Sequence, residues 1–391
     1  MKIRQVSAAE RVDTMLPLQA YAFEPTGDPD AMREHYLARV PYFETCLNLI
    51  AEEDGAARAC AAAWPMRQNV RGKLLGMAGV CSVASDPAYR RRGFVRALMN
   101  ELMRASKGAG HTTSVLWPFR PSFYARFGYI GLPQSRRVEL DPAGLPAGDL
   151  PGTVRYVRMR EAFDEYDAFV RRIHAGRHGF AVFDEVRTAE WRNLDLWVAL
   201  ATDRTGETVG VLAYEIKDGF GGELQGRDLL ATGPLGRALL LQFLSRHVDQ
   251  VRTVRVKAGP DDVPELWGVD LAVTTTSRVA YPDNAAPMAR VLDVTGLAGM
   301  RVGDGAATVE VVDDELIGGV HRLGSEEGRL TIDQGTRPAA RMTAAGFSGL
   351  VYGVLDPVDV ITRGFGQIDP SAVEPLRELF PPAMPQVFSS F

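Results

Sequence analysis

Two periods of hydrophobicity alternate along this chain, and the switch between them is clearest over residues 80–129. Residues 80–85 (VCSVAS) form a short apolar run that reads as a strand. Val95, Leu98, Met99 and Leu102 then recur at helical spacing, while Arg96, Asn100, Glu101, Arg104 and Lys107 take the opposite face. That spacing predicts a surface helix packed on a sheet. Residues 112–117 form a second apolar run, followed by SFYARFGY over residues 122–129.

The same reading extends in both directions. Residues 2–6 read as a strand and the next segment as a helix, with Ser7 and Glu10 spaced as a capping box. Residues 24–30 (EPTGDPD) form an acidic, turn-rich loop, followed by a short amphipathic segment over 31–40. Residues 47–53 and 56–66 pair as a hairpin around Asp54 and Gly55, and 74–83 continue the sheet.

From about Arg155 the pattern restarts. A strand (154–159) and a helix (161–174) precede strands at 197–202, 209–217 and 223–230, a helix at 234–247 and a strand at 253–257. In this second copy ATGPLG (231–236) replaces the arginine-rich turn of the first, and Pro234 removes a backbone donor. It reads as a degenerate repeat. Residues 281–287 are Pro- and Asn-rich and read as a linker. Beyond it come strands at 307–312, 316–323 and 328–333, then helices at 344–353, 357–363 and 372–380. Pro381 and Pro382 stop the last helix. Strands followed by helices indicate an α+β unit. The expected domains are 1–150, 151–285 and 286–391.

Length agrees with several cores, since 391 residues exceed what one core usually serves. A net charge of −5 disfavours nucleic acid and is compatible with a cationic substrate. Cys46, Cys60 and Cys81 form neither a disulfide framework nor a zinc motif, and they fit a reducing, cytoplasmic compartment. The N-terminal residues lack the apolar core of a signal peptide, and no run is long enough to span a bilayer. Neither membrane association nor a metal is expected.

The chemistry concentrates at Arg90, Arg91, Arg92, Gly93, Phe94 and Val95, where the long helix begins. A helix N-terminus carries unpaired N–H groups and partial positive charge. Gly93 admits a ligand close to the backbone, and the arginines add donors. This is a site for a phosphate or pyrophosphate.

Arg90–Val95 resembles the Q/R-x-x-G-x-G/A turn of the GCN5-related N-acetyltransferases, with Val95 in place of the last small residue. The runs YRRRGFVRALMNEL and SFYARFGY are similar to the enhanced-intracellular-survival type, multi-domain acetyltransferases known for acting on aminoglycosides. The resemblance implies an α/β (α+β) architecture: two tandem acetyltransferase domains, the second degenerate, and a sterol-carrier-like α+β domain. It implies acetyl-CoA as co-substrate, with Val83 and Ser85 holding the pantetheine arm through their backbone and Arg90–Val95 the pyrophosphate. It places Tyr124 at the general acid and the Phe391 carboxylate, ionised at neutral pH, at the general base. Loops after the first helix line the acceptor pocket in that family, which makes Glu24, Asp28 and Asp30 candidates to attract a protonated amine. Assembly into trimers and hexamers is also implied. Ser389 and Ser390 depart from relatives that place an acid beside the terminus, which leaves the acceptor open. His174 and His178 are four apart, but Gly176 and Gly179 break the helix and no carboxylate motif completes a metal site. The reading from another class is a lipid or small-molecule carrier working through the last domain; the intact Arg90–Gly93 turn and Tyr124 speak against it.

Overall fold

The computed structural model describes residues 1–146, 148–277, 279 and 285–388, without the side chains of Val186 and Arg187. The chain divides into two compact units that do not follow chain order. One combines Met1–Leu132 with Tyr281–Ala383, and the other Pro133–Ala280 with Met384–Phe388.

In the first unit β1 (Lys2–Gln5) leads into α1 (Ala8–Thr14), closed by the expected reciprocal box between Ser7 and Glu10. Next come α2 (Leu16–Phe23), α3 (Pro29–Ala38) and α4 (Val40–Phe43). Then β2 (Leu47–Glu53), β3 (Ala56–Val70) and β4 (Lys73–Ser85) form an antiparallel meander. Next are α5 (Phe94–Gly108), β5 (Thr113–Leu116), α6 (Pro121–Ala125) and β6 (Ile130–Gly131). The apolar stripe of α5 packs on β2, β3 and β4, with Leu98, Met99 and Leu102 fully buried. Burying three such side chains contributes on the order of 5–9 kcal/mol before entropy is charged.

The second unit repeats this layout. Its elements are β7 (Arg136–Leu140), β8 (Gly152–Arg158), α7 (Met159–Gly176), β9 (Ala181–Phe183) and α8 (Glu185–Thr188). They continue with β10 (Trp197–Asp203), β11 (Thr208–Lys217), β12 (Gly222–Asp228), β13 (Leu230–Ala231), α9 (Pro234–Ser245), β14 (Val251–Ala258) and β15 (Val273–Thr276). Its sheet order is β15-β7-β14-β12-β11-β10-β8. The pair β12–β14 is parallel, as is β4–β5 in the first unit.

After the linker, most of which lies outside the described residues, β16 (Met288–Val291) returns to the first unit. It pairs with both β5 and β6, giving the order β1-β2-β3-β4-β5-β16-β6. The rest of the chain is α+β: β17 (Ala307–Val312), β18 (Gly319–Glu326), β19 (Arg329–Gln334), β20 (Ala340–Thr343), α10 (Ala344–Tyr352), α11 (Pro357–Thr362), β21 (Gly366–Ile368) and α12 (Pro370–Leu379). The strand expected from residue 316 starts at Gly319 instead. Asp314 Oδ1 accepts from the amides of Leu316 and Ile317, both at 3.0 Å, and holds those residues in a turn. The same carboxylate takes both bonds of the buried Arg290 Nη2, at 3.1 and 2.9 Å.

Candidate active site

The site starts from a defect in β4. Its pairing with β5 runs from Met77 to Val80 and stops, while β4 continues to Ser85 against β3 alone. The β3–β4 register slips between Cys60 and Ala62, so two residues of β4 oppose one of β3. Ser82 sits in this bulge in the left-handed region, at φ +57°. Among the described residues, positions 82–85, with Val83 and Ser85 among them, therefore pair with no strand on the β5 side, and the sheet opens there. In the second unit the β12–β14 register also slips, between Gln225 and Asp228, but pairing resumes with Asp228 against Lys257, so β12 keeps its parallel partner to its last residue.

Arg11 holds the bulge from behind. It lies on the buried face of α1 with Ala8 and Val12. Its Nη1 donates to Asn48 Oδ1 at 2.5 Å and its Nη2 to Ser82 Oγ at 2.7 Å. The guanidinium also lies 4.1 Å from the Phe43 ring centroid. The sequence reading missed this residue. The available signal was a charge on the apolar face of a capped helix.

The arginine-rich turn follows β4. Arg91 has φ +63° and Gly93, the N-cap of α5, φ +89°, so the chain turns back on itself before the helix. No side chain caps α5, which leaves its first amides available. The three arginines divide in role. Arg92 is pinned by Glu53 at 2.7 Å and lies over the Tyr89 ring. Arg90 and Arg91 are exposed and, among the described residues, make no ion pair. Phe94 is buried in the core, while Val95 is half-buried on the first turn.

Tyr124 lies on α6, just beyond β5, and is 3% exposed. Its ring packs edge-on against Phe119, Phe123 and Tyr129, at 5.5, 5.1 and 6.2 Å. Burial, and then the neighbouring Tyr129, push its pKa well above the ordinary phenol value, so it stays protonated. Tyr129 is committed elsewhere, its hydroxyl 2.7 Å from Ser114 Oγ. Burial pushes that phenol up to about 12. Of the two tyrosines, Tyr124 is the one whose hydroxyl has no such partner among the described residues.

The acidic candidates are on the surface. Glu24, Asp28 and Asp30 are all exposed where α2 passes into α3. Asp28 is the N-cap of α3, and its Oδ1 accepts from the Asp30 amide at 3.0 Å. Because α2 packs on β4, the loop extends from a helix lying on the bulged strand. Phe391 lies outside the described residues. His111 sits in the turn before β5, and burial lowers its pKa. Among the described residues, no three His, Cys, Asp or Glu side chains come together as a metal site. No described helix is long and apolar enough to cross a membrane.

Residues 2–130 match a family described as an acetyltransferase (GNAT) domain, and residues 175–290 match a second family with the same description. The chain carries two GNAT domains. An uncharacterized N-acetyltransferase of Streptomyces coelicolor is 27% identical over 268 residues, 62% of this chain and 63% of that protein. The match thus spans less than two thirds of that relative's length. N-acetyltransferase Eis of Mycobacterium tuberculosis is 36% identical over 115 residues, 27% of this chain and 29% of Eis. The crystal structure of a GCN5-related N-acetyltransferase from Anabaena variabilis aligns over 100% of both chains with a TM-score of 0.86 at 18% identity, a likeness of fold. The opened β4 and the uncapped α5 both belong to the first GNAT domain.

Proposed function

We propose that the first GNAT domain transfers an acetyl group from acetyl-CoA to an amine of a small cationic molecule, of the aminoglycoside or polyamine kind. The observation that carries this reading is the uncapped start of α5, with Arg90 and Arg91 making no ion pair among the described residues, following directly on the open edge of β4. The α5 amides and these two arginines would hold the pyrophosphate. The backbone of Val83 and Ser85 would hold the pantetheine arm by extending the β4 ladder. When bound, the thioester supplies the activated acyl carbon.

In this reading a C–N bond forms as the C–S bond breaks. Tyr124, its phenol pKa raised by burial and by Tyr129, keeps its proton at neutral pH and donates it to the departing sulfur. The family resemblance assigns the amine's proton to the Phe391 carboxylate. A net charge of −5 and the exposed Glu24, Asp28 and Asp30 favour a cationic acceptor. The second GNAT domain, paired to the end of β12, has a structural role in this reading.

Calorimetry with acetyl-CoA, followed by thiol release against a panel of amines, tests the proposal. Saturable binding lost in an Arg90→Gln/Arg91→Gln variant, and turnover with at least one cationic amine, are expected. Absence of acetyl-CoA binding overturns it. Residues appended after Phe391 should abolish turnover, and full turnover in that variant removes the carboxylate from the role of base.

A further inference from the structure

The second GNAT domain has a cavity of its own, and it points to a ligand that the first domain's chemistry does not supply. It measures about 140 Å³ and is lined among others by Arg177, Thr232, Gly233, Arg237, Asp262 and Gln386. A polar space of 10–15 Å³ already holds one water, so this one has room for a tetrahedral oxyanion with its waters.

Helix α9 begins in the cavity wall. Gly233 is its N-cap without a side-chain cap, and Pro234 occupies the first turn. Beyond the proline, the early amides have no intrahelical acceptor, and the helix presents partial positive charge. Arg237 projects from the first turn, 3.8 Å from Asp262. Arg177, at the end of α7, pairs with Asp261 through Nη2, while its Nε is buried with no partner among the described residues.

The second, independent observation is Gln386. It is 3% exposed and belongs to the C-terminal tail that lies on this unit. Its backbone N–H donates to His178 O at 2.9 Å, and two residues on, Phe388 stacks on Phe180 at 4.5 Å. Its side-chain Oε1 is buried and accepts from no group among the described residues. An unpaired buried acceptor costs about 1–3 kcal/mol, a cost removed by a ligand that donates there. The wall thus asks for two things at once: negative charge opposite the guanidinium groups and the helix start, and an O–H opposite Gln386 and Asp262.

We propose that this cavity binds a phosphate group that carries a hydroxyl, either hydrogen phosphate or a small hydroxylated phosphomonoester. Hydrogen phosphate offers oxyanions and one P–OH in a single tetrahedron; sulfate offers the oxyanions alone. Occupancy ties the tail residue Gln386 to α7 and α9 through the ligand.

The test uses the full chain in the Arg90→Gln/Arg91→Gln background, which removes phosphate binding at the first domain. Inorganic phosphate, glycerol phosphate and sulfate are titrated by calorimetry at equal ionic strength, with hydrogen exchange followed at the Gln386 and Val387 amides. The expected result is saturable phosphate binding, at least about tenfold tighter than sulfate, with slowed exchange at the Gln386 amide. Tighter binding of glycerol phosphate than of inorganic phosphate assigns the site to an ester, and the reverse assigns it to the free ion. Arg237→Gln should weaken phosphate about tenfold or more, and Gln386→Leu should reduce it to the level of sulfate. No saturable binding, equal binding of phosphate and sulfate, or exchange unchanged at the tail overturns the proposal. If Gln386→Leu does not fold, Arg237→Gln and the sulfate comparison decide.

Discussion

Arg11→Met is the substitution that separates the geometry of β4 from its sequence. The guanidinium is 2% exposed, and its acceptors are neutral: Asn48 Oδ1 and Ser82 Oγ. Hydrogen bonds to a charged group are each worth about 1.5–3 kcal/mol, and the stacking on Phe43 about 1 kcal/mol more. Against this stands the cost of burying the charge, several kcal/mol, which methionine does not incur. Methionine fills much of the same volume, so little cavity cost is added. Asn48, itself 1% exposed, then keeps an unsatisfied Oδ1 at about 1–3 kcal/mol, while the Ser82 hydroxyl can rotate. The balance is a loss of about 2 kcal/mol, or about 4–8 °C in Tm for a unit of this size. The effect on the site is larger. Ser82 holds a left-handed conformation that costs an L-residue about 1–2 kcal/mol, and Arg11 is what maintains it. Without it the bulge relaxes and the open edge of β4 is lost. Acetyl-CoA affinity should fall at least about tenfold, measured by calorimetry on protein shown by circular dichroism to be folded. Arg11→Lys, which reaches one acceptor rather than two, should fall between. An Arg11→Met variant with wild-type acetyl-CoA affinity would refute the claim that Arg11 shapes the site, whatever its Tm.

Tyr124→Phe keeps the ring contacts with Phe119 and Phe123 but removes the proton; turnover should drop by about 10²–10⁴ with acetyl-CoA affinity unchanged, and unchanged turnover removes Tyr124 from the role of acid. Gly93→Ala has open space for its Cβ but a φ of +89°, so it should cost about 1–2 kcal/mol through backbone strain alone, read as a lower urea midpoint. Burial pushes the carboxyl of Asp228 from 3.8 up to about 6. Because the folded state holds this proton more tightly than the unfolded one, stability is highest below about pH 4 for this group and falls as pH rises to about 6, by about 3 kcal/mol. Asp228→Asn should abolish that fall, and equal pH dependence in urea titrations of variant and wild type would show that Asp228 does not cause it.

What was legible in the sequence was local. The capping box of α1 and the hairpin joining β2 to β3 each depend on residues a few positions apart, and both form where the pattern places them. The apolar stripe of α5 and the glycine at its start were legible for the same reason. Arg11 was not, because its acceptors come from β2 and from a bulge in β4 that no periodicity announces. The α9 cavity was hidden for a similar reason. Arg177, Arg237 and Gln386 are far apart in the chain, and only the fold brings them to one wall. Nor did spacing reveal β16, which fills a place in the first sheet from beyond residues 133–280 of the second unit.

The two sheets share one order and differ in where their strands stay paired. In order, β1-β2-β3-β4-β5-β16-β6 and β8-β10-β11-β12-β14-β7-β15 correspond strand for strand, each with one parallel pair at the same place. In each, the strand beyond that pair comes from outside the run of the others: β16 from after residues 133–280 of the second unit, β7 from before its first meander strand. The copies part where a thioester arm would enter. In the first, a slipped residue at Ser82 and an early end to β5 leave backbone unpaired, and an arginine turn follows. In the second, β12 stays paired to Asp228, and a proline occupies the first turn of the following helix. Both copies carry a slipped register near this point, and what distinguishes them is that pairing on the parallel side resumes in β12 at Asp228 and ends in β4 at Val80.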